Sequence, residues 1–553
     1  MSRYFDLGSY WRRVTTTSAP ARRWFNRGLV WAYGFNHEEA IRCFEASLDY
    51  DENCVMAHWG IAYAVGPNYN AQWDAFDSES LAAAVSRAHA ALAEARAAGG
   101  FGRAHPVEQS LIRAMSARFP AAVPPRDCQP WSQDYASAMR AAYRDHPDDL
   151  DVTALFADAL MNLAPWDLWD QHTGEPSSIP CTSEAREILE RALATESGRQ
   201  HPGILHFYIH LMEMSPYPEL ALPASGLLRE LVPDAGHLLH MPTHIDVLCG
   251  DYPQVISSNT RAIAADERYV AAQGPMNVYT LYRVHNYHFK IYGAMFLGQS
   301  HAALEAADGL AASIPAELLA VERPAMADLL EGFVAMRQHV LIRFGAWQDI
   351  IDTPLPADQD LYRATTAIIL YSQGIAHAAT GNINRAKEIR EAFRAAAASV
   401  PESRTIFTNT CVDILKIAAA MLDGEIAYRE GGIDEAFDHL RRAVELDDAL
   451  LYDEPWGWMQ PARHAYGALL LEQGRVAEAE AVYVADLGLD ATLPRARQHP
   501  GNMWSLHGYH ECLVRLGKQE LAAVVASQLR LASAYADVPV TSSCYCRLSC
   551  HAA

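Results

Sequence analysis

The chain has 553 residues, of which 50% are hydrophobic and 20% charged, with a formal net charge of −23 at neutral pH. Single cores stop growing near about 250–300 residues, so we expect several domains or an extended repeat array. The acidic balance excludes nucleic acid as a partner and argues against anionic membrane surfaces. Because no signal-peptide pattern or membrane-length apolar run is present, we predict a cytoplasmic protein that is not bound to a membrane.

The first recognisable element is a helix–turn–helix pattern near the N-terminus. Large and small residues alternate as in a tetratricopeptide repeat, a unit of about 34 residues. The positions are Trp24, Gly28, Trp31, Ala40 and Phe44. Small residues let two antiparallel helices approach closely, while the aromatic side chains fill the space above them. The pattern starts again in AHWGIAYAVG.

The same pattern returns in the last third of the chain, where Gly381, Gly474 and Gly517 occupy the expected inter-helix turns. Between these ends the period weakens, but alanine- and leucine-rich segments still favour helix. We predict an all-α fold, an α-solenoid of tetratricopeptide-like helix-turn-helix repeats. The predicted segments are N-terminal repeats over 1–120, degenerate repeats with a histidine-rich site over 121–300, C-terminal repeats over 301–536, and a cysteine-containing tail over 537–553.

Eight of the 23 histidines lie between residues 201 and 288, in three clusters. Residues three or four apart share one face of a helix, and the clusters contain such pairs. The histidines so spaced are His206, His210, His237, His240, His244, His285 and His288. Imidazole is the commonest protein ligand for transition metals. We therefore predict that these seven residues contribute to a metal site.

Pro242 interrupts the middle cluster, GHLLHMPTH. Proline is tolerated best in the first turn of a helix, and it disfavours the α conformation at the preceding Met241. We expect His237 and His240 in a loop or preceding turn, and His244 on a helix that begins near Pro242.

Copper is the predicted metal, with iron or zinc as the alternatives, because imidazole-rich sites suit these ions. One arrangement is a pair of coppers with three histidines each, drawn from His206, His210, His237, His240, His244 and His288. A single copper or iron with three or four histidines is simpler. Glu213, Asp234 and Asp246 are candidates to orient the outer ring nitrogens, or to complete an iron site.

Aromatic residues near the clusters are candidates for the walls of a pocket. They are Trp59, Tyr208, Tyr282 and Tyr287. The tail contains Cys544, Cys546 and Cys550. It either folds back to the metal or forms an ordinary disordered terminus, and the second interpretation is favoured.

The segments HPGILHFYIHLMEMSPYPELALPA, PDAGHLLHMPTHIDVLCGDY and TSSCYCR resemble a family of fungal and bacterial tetratricopeptide-repeat proteins. Members of this family share a signature of the form H-Xaa3-H…H-Xaa2-H-M-P-[ST]-H. The resemblance implies a helical-repeat fold and treats His206, His210, His237, His240 and His244 as one unit. The fungal relatives imply a tailoring role in secondary metabolism.

Our leading hypothesis is a metal-dependent oxidase or oxygenase that acts on a small organic substrate, phenolic or polyketide-like, with dioxygen. The first alternative is a scaffold that binds a protein or peptide partner in the groove of the repeats. The second alternative is a protein that binds metal without catalysis.

Overall fold

The computed structural model describes residues 4–97, 101–277 and 279–547. Within these ranges the regular secondary structure is helical apart from one two-stranded sheet and two isolated bridges, so the all-α prediction is confirmed. The chain divides into two compact units, Met1–Ile245 with Ala264–Tyr269, and Asp246–Ile263 with Val270–Ala553. The main boundary between the two units, between Ile245 and Asp246, lies inside the predicted segment 121–300.

The first unit is built from eleven complete helices, as far as its described residues extend. They are α1 Ala19–Tyr33, α2 His37–Tyr50, α3 Val55–Ala64, α4 Ser78–Ala97, α5 Pro106–Arg118, α6 Gln129–Asp145, α7 Leu150–Met161, α8 Thr182–Leu193, α9 Pro202–Glu213, α10 Leu222–Leu228 and α11 Gly236–His240. Helices α12 Pro242–Cys249 and α13 Tyr252–Gln273 contribute residues to both units. Consecutive helices pack against each other, as in a helical-hairpin repeat.

Phe44 explains the small residues of the N-terminal repeat. Its buried ring lies between α1 and α3, where a Cβ added at Gly28 or Gly60 would stand 2.6–2.7 Å from its atoms. Only glycine allows this approach without displacing the ring. The spacing in the sequence therefore reports the packing of α1, α2 and α3, as predicted.

The second unit continues with further helices and one short hairpin. They are α14 Thr280–Phe296, α15 Ser300–Ala312, α16 Ala316–Leu319, α17 Met326–Leu330, α18 Met336–Arg343, α19 Trp347–Ile351, α20 Arg363–Ala379, α21 Ile383–Ala398, β1 Thr405–Ile406, β2 Asn409–Thr410, α22 Cys411–Arg429, α23 Ile433–Asp448, α24 Ala462–Glu472, α25 Val476–Asp486, α26 Met503–Arg515 and α27 Gln519–Ser533. Strands β1 and β2 are antiparallel, with Thr405 opposite Thr410.

The C-terminal repeats follow the same packing rule as the N-terminal ones. Tyr483 lies between α24 and α26, where a Cβ at Gly467 or Gly508 would be 2.5 Å or 2.2 Å from its ring. The predicted turn glycines Gly381, Gly474 and Gly517 have φ values of 82°, 73° and 73°. Side chains rarely adopt this left-handed conformation, so glycine ends each helix here.

The described part of the tail packs on the second unit, contrary to the favoured prediction of a disordered terminus. The carboxylate of Asp537 accepts hydrogen bonds from the backbone amides of Ser300 and His301, at 2.7 and 3.0 Å. Cys544 and Cys546 are joined by a disulfide, and Cys550 lies outside the described residues.

Among the described residues, no helix combines the length and the apolar character that crossing a membrane requires. This agrees with the absence of a membrane-length apolar run in the sequence.

Candidate metal centre

Helix α9 positions the first two histidines of the candidate site. The side chain of His201 caps the helix by accepting a hydrogen bond from the amide of Ile204, and Pro202 occupies the first turn. Every residue of α9 is buried. A spacing of four residues places the side chains of His206 and His210 on one face, one turn apart.

Helices α11 and α12 supply three more histidines. Met241, between them, has φ −49° and ψ −37°, which is right-handed helical. The expectation that Pro242 pushes Met241 out of the α region is therefore wrong, because helix continuity outweighs the local preference. Helix α12 begins at Pro242 as predicted, but His237 and His240 are helical and not in a loop.

Three histidines from these helices converge inside the first unit. One ligand nitrogen each from His206, His210 and His237 lies within 4.8 Å of the other two. The ring centroid of His206 lies 4.7 Å from that of His210 and 4.9 Å from that of His237. All three residues are at most 1% exposed. A metal bound at about 2.0–2.1 Å from each nitrogen needs only a modest closure of this group.

In the rings of His206 and His210, a hydrogen bond at Nδ1 determines the protonation of Nε2. Nδ1 of His206 donates to the carbonyl of Tyr33 over 2.6 Å, and Nδ1 of His210 donates to Glu213 over 2.9 Å. In a neutral ring Nε2 then carries the lone pair that binds a metal. Among the described residues, neither Nε2 has a hydrogen-bond partner.

Glu213 orients two rings with one carboxylate. Its Oε2 accepts from Nδ1 of His244 over 2.7 Å, while its Oε1 accepts from His210. Nε2 of His244 lies 2.7 Å from Nε2 of His240, so His240 donates and His244 accepts when both rings are neutral. The orienting role predicted for Glu213 agrees with its hydrogen bonds to His210 and His244. His210, Glu213 and His244 also have ligand atoms within 4.8 Å of one another.

Burial keeps the three central rings neutral. It lowers the pKa of His206, His210 and His237 well below the ordinary value, and the neighbouring histidines lower each pKa further. Desolvation disfavours a charged ring, and adjacent imidazolium ions would repel each other. The neutral form is the one that ligates a metal.

Aromatic rings form a wall around the histidines. The ring of Phe35 lies 4.6 Å from His206, 5.7 Å from His210 and 5.6 Å from His237. Tyr69 lies 4.9 Å from His210. Sequence reasoning missed both residues, because they lie more than 130 positions from the histidines that they contact.

Two predicted pocket residues lie elsewhere in the first unit. Tyr208 is two positions from His206 and from His210, which is the other side of α9, and its hydroxyl donates to Glu190 of α8 over 3.1 Å. Trp59 is buried on α3 and stacks on Tyr63, with ring centroids 5.5 Å apart.

The second predicted carboxylate, Asp234, has other partners within the first unit. Asp234 accepts from the backbone amide of Asp6 and from Arg268, in exposed pairs, so the orienting role predicted for it is wrong. Asp246 belongs to the second unit.

The remaining predicted residues lie on α14 of the second unit. His285 packs against Phe407 at 4.8 Å, and His288 packs against Phe333 at 5.2 Å. Burial and, to a lesser extent, the nearby His339 together lower the pKa of His288 to about 3. The rings of the predicted pocket residues Tyr282 and Tyr279 are 5.2 Å apart. The side chain of Tyr287, also predicted, faces Gly309 of α15.

Comparisons with known proteins give no relative from which a function can be transferred. No family model matches the chain, and no curated protein does. The solved structures similar to this chain include three at 11–14% identity. For the APC/C hetero-tetramer Cut9-Hcn1 the TM-score is 0.30, and the match covers 86% of this chain and 74% of the other. For Naa15/Naa10 bound to HypK-THB the TM-score is 0.22, and the match covers 93% of this chain and 70% of the other.

The third structure is yeast Tom70, with 11% identity, a TM-score of 0.26, and coverage of 92% of this chain and 99% of the other. Such low TM-scores carry no argument about function. The helix pairs and the glycine packing within each unit define the class independently: this is an all-α protein of tetratricopeptide-like repeats.

Proposed function

We propose that the first unit binds a transition-metal ion through His206, His210 and His237. The observation that carries the proposal is the pair of buried Nε2 atoms in His206 and His210 that lack a hydrogen-bond partner among the described residues. A buried polar atom without a partner costs about 1–3 kcal/mol. A metal ion would satisfy both atoms, and their Nδ1 atoms are already hydrogen bonded as metal-bound histidines require.

Copper is our first choice of metal, with iron second and zinc as a further alternative, because the proposed ligands are neutral imidazoles. A second group that could hold an ion is His210, Glu213 and His244. We propose that the ion binds to the first group, which contains His206 and His237 beside His210. Both oxygens of Glu213 already accept hydrogen bonds from ring nitrogens, which favours an orienting role. Three protein ligands leave a coordination position open for dioxygen or substrate.

The reaction we propose is oxidation of a small organic molecule by dioxygen at this open position. The resemblance to histidine-signature tetratricopeptide proteins of fungal secondary metabolism is consistent with such a role. The aromatic wall that includes Phe35 and Tyr69 provides an apolar surface beside the histidines. Storage of metal without turnover is the outcome if bound copper supports no oxygen consumption.

Metal content tests the proposal directly. We expect purified, copper-loaded protein to hold roughly one ion per chain by mass spectrometry, with a copper–imidazole signature in its paramagnetic resonance spectrum. A double variant, His206→Ala with His210→Ala, should lose the ion and keep its helical circular dichroism. The matched control is His172→Ala, an exposed histidine of the same unit. Equal copper in the double variant and the control would refute the site.

A second candidate function is a scaffold for a protein partner. It is favoured by helix α27, where Leu521, Val524 and Leu531 are 43%, 58% and 70% exposed. Their spacing places them on one face of the helix. An apolar face on the last helix of the described repeats suits an amphipathic helix from a partner protein.

A pull-down experiment with variant proteins as baits distinguishes the two candidate functions. A scaffold should retain a stoichiometric partner in the double variant of His206 and His210, and should lose it when Val524 and Leu531 are both changed to Asp. A partner that survives the α27 change, or no stoichiometric partner at all, would exclude this surface.

A further inference from the structure

Arg118, the last residue of α5, is a buried charged residue of the first unit with unused hydrogen-bond donors. Its side chain is 1% exposed. Its Nη2 donates to the carbonyl of Pro67 over 2.7 Å, but its Nε and Nη1 have no hydrogen-bond partner among the described residues. Burying a charge without pairing it is strongly unfavourable, and buried arginines are normally paired.

No carboxylate lies within ion-pair distance of Arg118 in the described part of the chain. The buried acid that interacts with it electrostatically is Asp158 of α7. Asp158 accepts hydrogen bonds from Tyr63 over 3.1 Å and from Asn162 over 2.8 Å, and Arg118 is not one of its donors in the described part of the chain. Asp158 therefore reduces the cost of the buried charge without filling the donors of Arg118.

A second donor lies beside the guanidinium group. Arg118 stacks over the ring of Tyr135 at 4.9 Å, and the buried hydroxyl of Tyr135 also lacks a hydrogen-bond partner among the described residues. Gly66 adjoins the same group, since a Cβ added there would stand 3.6 Å from Nη1 and 2.9 Å from the ring of Phe119. Unused donors of two buried side chains therefore lie side by side, as an anion site requires.

We propose that Arg118 and Tyr135 bind the carboxylate of a small-molecule ligand. A monoanion matches one unpaired guanidinium group, and the neighbouring rings of Tyr63 and Trp59 suit the apolar body of an organic acid. The loop that follows α3 connects this subsite with the histidines. Its Pro67 holds Arg118, and its Tyr69 contacts His210 at 4.9 Å.

The proposal names the substrate class for the metal site and in that respect rests on the proposed function. A small organic acid anchored at Arg118 would have its apolar part near the open metal position. Binding at the subsite itself needs no metal, so the two proposals fail separately.

The test compares benzoate with benzamide, a neutral molecule of nearly the same shape, by calorimetric titration of the full chain treated with a chelator. We expect benzoate to bind at least about tenfold more tightly than benzamide, because a hydrogen bond between charged groups is roughly twice as strong as one between neutral groups. Arg118→Met should abolish that preference, Arg118→Lys should retain part of it, and Tyr135→Phe should reduce it. Inorganic phosphate is a further probe.

Equal binding of benzoate and benzamide, no binding of either, or unchanged preference in Arg118→Met would overturn the carboxylate subsite. Tighter binding of phosphate than of benzoate would overturn the assignment to a carboxylate. If Arg118→Met does not fold, Tyr135→Phe decides between these outcomes. Metal content measured on the same samples shows whether the histidine site fails independently.

Discussion

His206 donates a hydrogen bond from Nδ1 to the backbone carbonyl of Tyr33 over 2.6 Å. This bond joins α9 to the end of α1 across 173 positions of sequence. It fixes the tautomer of His206 and leaves the lone pair of the neutral ring on Nε2. The rings of His210 and His237 lie 4.7 and 4.9 Å away. The repeat framework therefore presets one ligand of the candidate metal centre before any ion binds.

Glu213→Gln should weaken copper binding by about 10- to 100-fold, the usual effect of losing a group that orients a metal ligand. Glutamine offers one acceptor oxygen, so it cannot accept from both His210 and His244 as Glu213 does. The measurement is competition with a chelator of known affinity. Asp234→Asn, at a partly buried acid of the same unit that pairs with Arg268, should leave the affinity unchanged, and a similar loss in both variants would contradict the role of Glu213.

Phe35→Ala should lower the free energy of unfolding by about 3 kcal/mol or more, since truncating a buried Phe typically costs about 3–5 kcal/mol. The ring contacts His206, His210 and His237, so we also expect weaker copper binding. Alanine keeps the Cβ, so the left-handed φ of 55° stays as strained as before. Urea denaturation checks the stability.

Val123→Ala serves as the control for this change, because Val123 is 74% exposed in the same unit. We expect its free energy of unfolding to lie within about 0.5 kcal/mol of the unchanged protein. A Phe35→Ala protein as stable as this control would show that the aromatic wall is not packed as described.

Gly28→Ala should destabilise the first unit by about 1–3 kcal/mol, because the new Cβ would stand 2.6 Å from the ring of Phe44. Phe44→Leu in the same chain should recover part of the loss, giving a favourable coupling in a double-mutant cycle. Gly226→Ala is the matched control, since nothing lies within 4 Å of a Cβ there. If both alanine variants are equally stable, the proposed helix approach is incorrect.

His339→Phe should make the protein less sensitive to acid. Burial lowers the pKa of His339 to about 4, whereas an unfolded histidine titrates near 6.5. The unfolded chain therefore binds the proton first, and stability is lost as pH falls from about 6.5 toward about 4. At pH 5 this loss is about 2 kcal/mol, which the variant should not show.

The check is the difference in unfolding free energy between pH 7.5 and pH 5, measured by denaturant titration. His439→Phe, at a partly exposed position of the same unit, should keep the full loss. Identical pH dependence in the two variants would mean that His339 does not carry this proton linkage.

The sequence by itself was enough to predict the helical repeats and the histidine pairs. Close helix packing requires small residues at a fixed spacing, so glycines such as Gly28 and Gly467 indicate this packing in the sequence itself. A spacing of four residues likewise places His206 and His210 on one face of α9 whatever surrounds that helix.

Only the tertiary structure decided which distant groups meet. Glu213 and Asp234 were equal candidates in the sequence, but only Glu213 reaches the histidine rings. Phe35, Tyr69 and Arg118 gave no local signal, because their roles depend on contacts across the fold and on burial. The helical Met241 before Pro242 has the same cause, since packing outweighs a local conformational preference when the two compete.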